Sequence, residues 1–401
     1  MGRTLPRFDF RVSFGACTET GPVRTNNEDA LLVDPEGALF GVADGMGGAA
    51  AGEVAARLSV EAFREALRHR DVRRTLERYV VSPDLAMRHR IFSALRDAAS
   101  TANDAVRAAA VDTPEHGGMG STLTAVLFLR DQAFVAHVGD SRVYLCRPDA
   151  TLQLTHDHTL ADRLRETNPA GRVDRQRAHN PLVNNIGMTA TQRCDTLFVG
   201  VSRGDRLVVC TDGVYGAFAT EAAFGDAART PGAEPAARAL IDAAMANGSR
   251  DNGSIVVIDV CDRFVTRPDD GRGERDLATA RLAPIFAEVP LSIVLRVLAV
   301  AVETELLPDA PVPQAVTSDR VTYLLLDGEV ASADGRVLSA GGMLYPESLV
   351  DEPARIGTFE ARTVARALRI RGDDFREVCA ADHALASRLY AALARHLARV
   401  R

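Results

Sequence analysis

Apolar and polar positions along the first two-thirds of the chain follow two different periods. Segments 123–129, 132–138 and 142–147 are short, largely apolar and separated by turns of two or three residues, which predicts consecutive antiparallel strands. Residues 49–70 and 83–110 instead repeat apolar side chains every three or four positions, which predicts two amphipathic helices. The pattern therefore indicates a sheet covered by a helical layer.

Acidic residues recur where the predicted strands end. Apolar residues 40–43 lead into Asp44, which three glycines follow within four positions, and residues 206–210 lead into Thr211, Asp212 and Gly213. Glycine accepts positive φ and close approach, so a carboxylate placed there is left uncrowded. The acidic residues at strand ends or glycine-rich turns are Glu28, Asp29, Asp44, Asp140, Asp212 and Asp251. Their recurrence predicts one shared acidic site.

Carboxylates gathered from separate strands repel one another unless cations neutralise them. The acidic positions carry no His or Cys pattern, and all-oxygen ligation favours Mg²⁺ or Mn²⁺ over zinc. Two such ions about 3.5–4 Å apart can activate a water and stabilise an in-line displacement at phosphorus. Arg24, four residues before Glu28, is the candidate that binds the phosphate through its guanidinium fork. The predicted reaction is hydrolysis of a phosphate ester.

Composition narrows the possibilities further. A chain of 401 residues is too long to fold around a single hydrophobic core, so two domains are expected. Its net charge of −7 argues against a dedicated nucleic-acid-binding protein, whose binding surface would be basic. All 47 basic residues are arginine, which excludes a Schiff-base or P-loop lysine. The six cysteines are scattered, which favours a reducing, cytoplasmic setting. The start lacks the apolar core of a signal peptide, and the longest apolar run, 289–302, contains Arg296 and is too short to span a membrane.

Residues 8–262 resemble the metal-dependent protein phosphatases of the protein phosphatase 2C (PPM) family, bacterial type. The motifs that carry the resemblance, in the family's order, are Arg24-Thr-Asn-Asn-Glu28-Asp29, Asp44-Gly45-Met46-Gly47-Gly48, Gly118-Met-Gly-Ser-Thr122, Gly139-Asp140-Ser141-Arg142, Thr211-Asp212-Gly213-Val214 and Asp251-Asn252. The resemblance implies an α+β fold in which a central β-sandwich is flanked by helices, an α-β-β-α sandwich. It also implies hydrolysis of phosphoserine and phosphothreonine in the protein substrates of Ser/Thr kinases.

The same resemblance implies roles for individual residues. Two Mn²⁺ or Mg²⁺ ions would be held by Asp44, the carbonyl of Gly45, Asp212 and Asp251. Glu28 and Asp29 would act largely through water, and Asp140 with Asp212 would form a third, weaker metal site. Arg24, Asp44 and Asp212 are the expected catalytic residues.

Two departures from the family pattern affect mechanism and substrate. Met46 stands where many eukaryotic members have a histidine proposed as general acid, so the proton must come from water or from another residue. His137, three residues before Asp140, is a candidate substitute, and a histidine packed in a strand is the alternative. Residues 167–186, the expected flap loop, are divergent and somewhat short, which leaves substrate preference open.

The remaining chain resembles a cyclic-nucleotide-binding domain, a jelly-roll barrel with flanking helices. Residues 263–277 are the predicted linker and residues 278–401 the predicted domain, in which helices are expected over residues 282–302 and from Asp373 to the end of the chain. Its phosphate cassette aligns with Tyr345-Pro346-Glu347 and with Arg355-Ile356-Gly357-Thr358, so Glu347 would hold the ribose and Arg355 the cyclic phosphate of cAMP or cGMP. Pro346 lacks a backbone N–H and Ile356 is bulky, so an interaction or dimerisation module is the alternative.

Two alternatives to protein phosphatase activity remain open. One is a non-catalytic signalling scaffold that binds phosphoproteins, and the other is a phosphatase that acts on small phosphate esters. Regulation of the first domain by the second is a further hypothesis, which the fusion of the two suggests.

Overall fold

The computed structural model describes residues 3–4, 10–47, 51–81, 83–148, 150–167, 181–263, 272–287, 289–308, 311–312, 320–350, 358–380 and 383–400. The chain divides into two compact units, residues 1–270 and 271–401. The division falls inside the segment predicted as a linker, whose residues 264–271 lie outside the described ranges. The exact domain boundaries stay a prediction.

The first unit is built on two antiparallel sheets. Its strands are β1 (Arg3–Thr4), β2 (Phe10–Glu19), β3 (Asp29–Asp34), β4 (Leu39–Met46), β5 (Gly120–Ser121), β6 (Leu123–Leu129), β7 (Gln132–Val138), β8 (Arg142–Arg147), β9 (Ala150–Gln153), β10 (Asp195–Gly200), β11 (Arg206–Cys210) and β12 (Gly253–Arg263). One sheet has the order β1-β2-β12-β11-β8-β9. The other has the order β10-β7-β6-β4-β3, and β5 pairs with β4.

Helices cover both outer faces of this sandwich. They are α1 (Ala51–Arg68), α2 (Arg70–Val81), α3 (Leu85–Asp112), α4 (Leu160–Thr167), α5 (Asp212–Tyr215), α6 (Glu221–Ala228) and α7 (Ala233–Ala246). α1 packs on α3 and β4, whereas α7 packs on β2 and β12. Gly15 in β2 allows the second contact, because a Cβ there would lie 2.3 Å from Cα of Glu234. The predicted α-β-β-α arrangement is confirmed for this unit.

The structure corrects two details of the predicted secondary structure. β6 and β7 pair as expected, but β8 crosses to the other sheet and pairs with β9 and β11. The connection runs through Gly139, whose φ of +109° is open to glycine and strained for other residues. Helix α2 was not predicted; its buried face consists of Leu76 and Tyr79, too few apolar positions to stand out from sequence.

The register of the strands brings the predicted acidic residues to one end of the sandwich. Asp29 in β3 lies directly opposite Asp44 in β4. Cys210, at the end of β11, pairs with Ile255 in β12, so Asp212 follows one of these strands and Asp251 precedes the other. Both sheets therefore end in carboxylates at the same edge.

The second unit contains two small antiparallel sheets and four helices among its described residues. They are α8 (Arg272–Ala280), α9 (Leu291–Leu298), β13 (Val302–Leu306), β14 (Val321–Asp327), β15 (Val330–Ser332), β16 (Val337–Leu338), β17 (Met343–Leu344), β18 (Phe359–Ala361), β19 (Ala365–Arg371), α10 (Gly372–Ala380) and α11 (His383–Val400). The sheet orders are β13-β19-β14-β17 and β16-β15-β18. One core cluster joins helices to β14 and β19, and another lies among the strands.

Two predicted helices of this unit differ from those observed. The helix expected over residues 282–302 is reduced to α9, since Pro284 and Pro290 lack the N–H that a helix interior requires. The helix expected from Asp373 to the end is divided into α10 and α11. Within the described ranges, no helix is both long enough and apolar enough to cross a membrane.

Candidate active site

Five aspartates meet between the two sheets of the first unit. Asp29 and Asp44 come from neighbouring strands, Asp140 from the turn between β7 and β8, Asp212 from the first turn of α5, and Asp251 from the residues before β12. Burial raises the pKa of Asp44 well above its usual value, and the charges of the other four aspartates raise it further. The structure therefore brings together five of the six acidic residues that the sequence singled out.

Burial and mutual repulsion raise the pKa values throughout this cluster. The pKa of Asp29 rises to about 7, first through burial and then through the charges of Asp212 and Asp251. Burial raises the pKa of Asp212, and the charge of Asp251 adds to it, whereas a hydrogen bond with the Asp44 carboxyl opposes the rise. Burial also raises the pKa of Asp140, with Asp212 as the next cause. The cluster resists full ionisation in the protein alone.

Two carboxylate oxygens in the cluster have unmet bonding capacity. Oδ1 of Asp29 and Oδ1 of Asp212 are buried and accept no hydrogen bond from the described residues. An unpaired buried carboxylate oxygen is costly, and a hard divalent cation is its natural partner. Across the described ranges, no three Asp, Glu, His or Cys side chains converge closely enough to hold an ion by themselves. The two unpaired oxygens of Asp29 and Asp212 fit a hard cation such as Mg²⁺ or Mn²⁺, whose remaining ligands would be backbone carbonyls and water.

The backbone at Asp44 is fixed by the Gly118–Thr122 motif. The Asp44 N–H donates to Oγ1 of Thr122 at 2.8 Å. The Asp44 carbonyl accepts from the Thr122 N–H at 2.8 Å and from Oγ of Ser121 at 3.0 Å. The hydroxyl of Thr122 also lies 2.8 Å from that of Ser141, beside Asp140. This motif holds two of the aspartates in place.

Gly45 lies where no side chain fits. A Cβ at this position would stand 2.0 Å from the carbonyl oxygen of Gly52, and the Gly45 N–H donates to the carbonyl of Glu28 at 3.0 Å. The Glu28 carboxyl in turn lies against Gly52, since a Cβ there would be 2.7 Å from the Glu28 carboxyl carbon. Burial raises the pKa of Glu28 despite the opposing charge of Arg24. The Glu28 carboxyl is thus next to the cluster and lies against the first turn of α1.

Asn252 ties the loop before β3 to the strand β12. Its Oδ1 accepts from the Glu28 N–H at 2.9 Å, and its Nδ2 donates to the carbonyls of Thr20 and Asn26 at 2.8 and 2.9 Å. The sequence showed Asn252 as part of a motif without indicating its role. The structure shows it as the residue that positions Glu28 next to Asp251.

Arg24 lies at the rim of the cluster and pairs with Asp251. Its Nη2 is 2.8 Å from Oδ1 and 2.9 Å from Oδ2 of that aspartate, and roughly half of each side chain is exposed. The hydrogen bond to Asp251 raises the pKa of Arg24 further. The predicted phosphate-binding arginine is therefore placed at the open edge of the acidic site.

A network that the sequence did not reveal holds the turn at Asp140. The Tyr215 hydroxyl donates to the Asp140 carbonyl at 2.9 Å, and the Arg142 guanidinium stacks 3.7 Å from the centre of the Tyr215 ring. Arg142 is itself held by Asp157, with Nη2 2.6 Å from Oδ2. His158 accepts the Gly139 N–H on Nδ1 at 3.1 Å. In the sequence, only the run of polar residues at 155–158 could have indicated that this segment supports the turn.

His137 belongs to the core and does not serve the site as an acid. Its Nε2 donates to the His156 carbonyl at 2.9 Å, and its Nδ1 lies 2.9 Å from the Thr124 hydroxyl. Burial, followed by the neighbouring His158, lowers the pKa of His137 to about 3. The idea that it replaces the general acid is wrong, and the alternative of a packed strand histidine is confirmed.

Of the two predicted ligands of the second unit, Glu347 lies within the described residues and Arg355 does not. Glu347 lies in a short 3₁₀ helix, Pro346–Leu349, where burial raises the pKa of its carboxyl. Arg355 lies outside the described residues, as do residues 168–180 of the expected flap loop. A nucleotide site built from Glu347 and Arg355 stays a prediction.

Comparison with known proteins shows that the chain is similar to bacterial serine/threonine phosphatases. Residues 23–244 match the family model of protein phosphatase 2C. The chain is 33% identical over 262 residues to the serine/threonine protein phosphatase PstP of Mycobacterium tuberculosis, covering 64% of this chain and 47% of the relative. It is 31% identical over 203 residues to the serine/threonine phosphatase stp of Listeria innocua, covering 49% of this chain and 75% of the relative. The chain thus spans about half the length of the mycobacterial relative.

Solved structures show the same likeness. The crystal structure of the M. tuberculosis serine/threonine phosphatase PstP/Ppp has a TM-score of 0.53 at 29% identity, covering 63% of this chain and 99% of that one. The catalytic domain of PstP in complex with two manganese ions has a TM-score of 0.52 at 32% identity, with coverage of 63% and 99%.

Proposed function

Because the chain belongs to the protein phosphatase 2C family, we propose that its first unit hydrolyses phosphoserine and phosphothreonine in proteins phosphorylated by Ser/Thr kinases. The observation that carries this is the aspartate cluster, in which Asp29 and Asp212 each keep a buried oxygen that accepts no hydrogen bond from the described residues. A divalent cation would neutralise these carboxylates and so stabilise the site, and the PstP structure with two manganese ions supports that need.

The residues proposed to hold two Mn²⁺ or Mg²⁺ ions are Asp44, the carbonyl of Gly45, Asp212 and Asp251. Glu28 and Asp29 would act through water, and Asp140 with Asp212 would provide a third, weaker site. When bound, such a metal pair supplies an activated water and neutralises charge on the phosphoryl group. Asp44 lies among the charges of four other aspartates, which supports its role as a ligand.

Arg24 is proposed to bind the phosphate oxygens of the substrate. Its guanidinium presents a planar fork of donors suited to phosphate, and its pairing with Asp251 holds it at the open edge. Met46 has no titratable group and His137 is neutral in the core, so neither supplies the leaving-group proton. The proton is therefore proposed to come from water at the site.

The decisive test is hydrolysis of a phosphothreonine peptide in the presence of Mn²⁺. Activity is expected with Mn²⁺, loss of activity with a chelator, and a fall of at least a hundredfold for Asp212→Asn. Asp226→Asn is the matched control, since Asp226 is exposed and pairs only locally with Arg229. Equal hydrolysis by chelated and metal-loaded protein contradicts the proposal.

The same assay separates the two alternatives. Tight binding of the phosphopeptide without turnover, even with Mn²⁺, identifies a non-catalytic scaffold. Hydrolysis of p-nitrophenyl phosphate that phosphopeptides do not inhibit identifies an enzyme for small phosphate esters.

The second unit is proposed to be a cyclic-nucleotide-binding-like jelly-roll domain that regulates the first. Two small antiparallel sheets around a shared apolar core, with α10 and α11 following, support this reading. Calorimetry with cAMP and cGMP, on the native chain and on Glu347→Ala, tests the ligand. If neither nucleotide binds, and saturating nucleotide leaves the phosphatase kinetics unchanged, the second unit is instead an interaction or dimerisation module.

A cytoplasmic location is proposed as well. All six cysteines are free and five of them are buried, which suits a reducing compartment. Fractionation of cells that express the tagged chain tests this proposal.

A further inference from the structure

An arginine-rich groove lies at the junction of α2 and α3, apart from the aspartate cluster. Its volume is about 950 Å³, and Arg74, Arg78 and Arg90 contribute to its walls. All three side chains are exposed. The described residues place no carboxylate in a salt bridge with any of these three guanidinium groups. They are therefore available to an acidic partner.

The charge of this region runs against that of the chain. Residues 69–90 contain six arginines and three acidic residues, a local charge of +3 in a chain whose net charge is −7. Of the two acids that line the groove, Asp84 is committed to capping α3, because its Oδ1 accepts the Met87 N–H at 2.7 Å. A concentration of positive charge in a concave site attracts and orients anionic partners.

Apolar surface adds a second kind of contact. Val81 is 84% exposed and lines the groove together with Ala86 and Met87. A valine this exposed at a helix end gains nothing from folding, and Met is an adaptable contact for apolar side chains. A segment that alternates acidic and large apolar residues would satisfy both the arginines and this surface.

The position of the groove relates it to the aspartate cluster. The Tyr79 hydroxyl, next to Arg78, donates to Gln132 at the start of β7. Asp140 follows the other end of that seven-residue strand. At about 3.3 Å per residue, β7 spans roughly 20 Å between Gln132 and the turn at Asp140. A peptide that reaches from the groove to the cluster therefore needs at least about seven extended residues.

We propose that this groove docks an acidic and apolar segment of the phosphoprotein substrate, located about seven or more residues from the phosphorylated side chain. The inference rests on the proposed function of the aspartate cluster, and it names the feature by which substrates are selected. Docking of this kind raises the local concentration of the phosphorylated residue at the cluster, so it lowers KM and leaves kcat unchanged.

Three synthetic peptides test the proposal on the full chain with Mn²⁺. The first carries phosphothreonine, a nine-residue Gly-Ser spacer and the tail Glu-Asp-Leu-Glu-Asp-Phe. The second replaces the tail with Gly-Ser, and the third keeps the tail but shortens the spacer to two residues. The first is expected to show a KM about five- to tenfold lower than the other two, and 0.5 M NaCl should remove most of this advantage.

The double variant Arg74→Glu/Arg78→Glu should lose the advantage while keeping its kinetics on the second peptide. A control, Arg281→Glu/Arg336→Glu, makes the same charge change at two exposed arginines that do not line the groove and should keep the advantage. Circular dichroism establishes that each variant is folded. An advantage that survives in the groove variant overturns the proposal.

Two further measurements keep this result separate from the phosphatase proposal. If the second peptide is not hydrolysed at all, the proposed function fails, and docking is then measured by fluorescence anisotropy of the fluorescein-labelled, unphosphorylated tail. No binding in that measurement overturns the docking proposal too. Binding to vesicles of phosphatidylglycerol is measured as well, because a membrane could use the same arginines. If the protein binds the vesicles through Arg74 and Arg78 and the peptide tail has no effect, the groove is a membrane site and the proposal is overturned.

Discussion

Arg24 and Asp251, 227 positions apart in the chain, form an ion pair at the rim of the aspartate cluster, with Nη2 2.8 Å from Oδ1. The pair joins the proposed phosphate-binding residue to a proposed metal ligand. A bound phosphate would accept the N–H groups of Arg24 that now donate to Asp251. A bound cation would bind the carboxylate oxygens of Asp251 that now accept from Arg24. Substrate and metal are therefore expected to share this edge without competing for the same side chain.

Arg24→Ala should lower kcat/KM for a phosphothreonine peptide by about ten- to a hundredfold, because hydrogen bonds to charged groups contribute roughly 1.5–3 kcal/mol. Affinity for Mn²⁺, measured by calorimetry, should stay equal or rise, since Asp251 loses a competing cation. Arg238→Ala is the control, as Arg238 forms a similarly exposed pair with Glu19. Weaker Mn²⁺ binding by Arg24→Ala would show that its role is to support the metal ligand.

Mn²⁺ should stabilise the protein more at pH 8 than at pH 5.5. Burial and neighbouring charges raise the pKa of Asp29 to about 7, so below that pH a cation must displace a proton. At a hundredfold excess over Kd, the Tm at pH 8 should rise by about 5–10 °C, and by less at pH 5.5.

The metal-free protein should show the opposite dependence through the same group. Because the folded state keeps a proton on Asp29 that the unfolded chain has lost, this group makes the protein less stable as pH rises from about 4 to about 7. Scanning calorimetry with and without chelator measures both effects. A Tm shift with Mn²⁺ that is independent of pH would contradict the raised pKa.

His137→Gln should weaken one part of the dependence of stability on pH. The pKa of His137 in the folded state is about 3, so between about 3 and 6.5 the unfolded chain binds a proton that the folded protein excludes. The wild-type free energy of unfolding should therefore fall by up to about 1.4 kcal/mol per unit as pH drops through this range. The difference between variant and wild type, from urea denaturation at pH 5, 6 and 7, isolates this contribution.

The control for that series is His69→Gln, because the side chain of His69 is 69% exposed. It should leave the slope unchanged. If His137→Gln and the wild type share one slope, His137 titrates as an ordinary exposed histidine and its buried role is refuted.

Thr122→Val should lower stability and Mn²⁺ affinity together. The substitution keeps the shape of the side chain but leaves the Asp44 N–H without its acceptor, at a cost of about 1–3 kcal/mol. Because Asp44 is a proposed metal ligand, a shift of its backbone should weaken Mn²⁺ binding about tenfold. Calorimetric titration and urea denaturation measure the two effects.

Thr101→Val is the matched control, since the Thr101 hydroxyl donates only to the Asp97 carbonyl on an exposed helix face. It should change neither quantity by more than a small amount. Normal Mn²⁺ affinity in Thr122→Val would show that Asp44 is positioned by the strands alone.

Much of the candidate site could be read from short stretches of sequence. Asp44 and Asp212 each follow an apolar strand and precede glycine, so their placement at a sheet end depends on local pattern alone. The helices on both faces could be predicted for the same reason. Their amphipathic spacing requires no knowledge of what they pack against.

Other features depend on partners that local pattern does not specify. The crossing of β8 to the second sheet is set by its pairing with β11, about sixty residues later in the chain. The contacts of Tyr215 and His158 with the turn at Asp140 depend on that crossing. Helix α2 was missed because only two of its residues are buried.

By itself, the sequence determined which carboxylates end the strands, which glycines accompany them and to which family the first unit belongs. Only the tertiary structure decided that five aspartates meet between the two sheets, that Asn252 positions Glu28, and that His137 is a core residue. It also brought Arg74, Arg78 and Arg90 around one groove. The physical reason is that strand ends and helix faces follow from neighbours along the chain, whereas shared burial, charge coupling and concave surfaces arise between segments that only packing brings together.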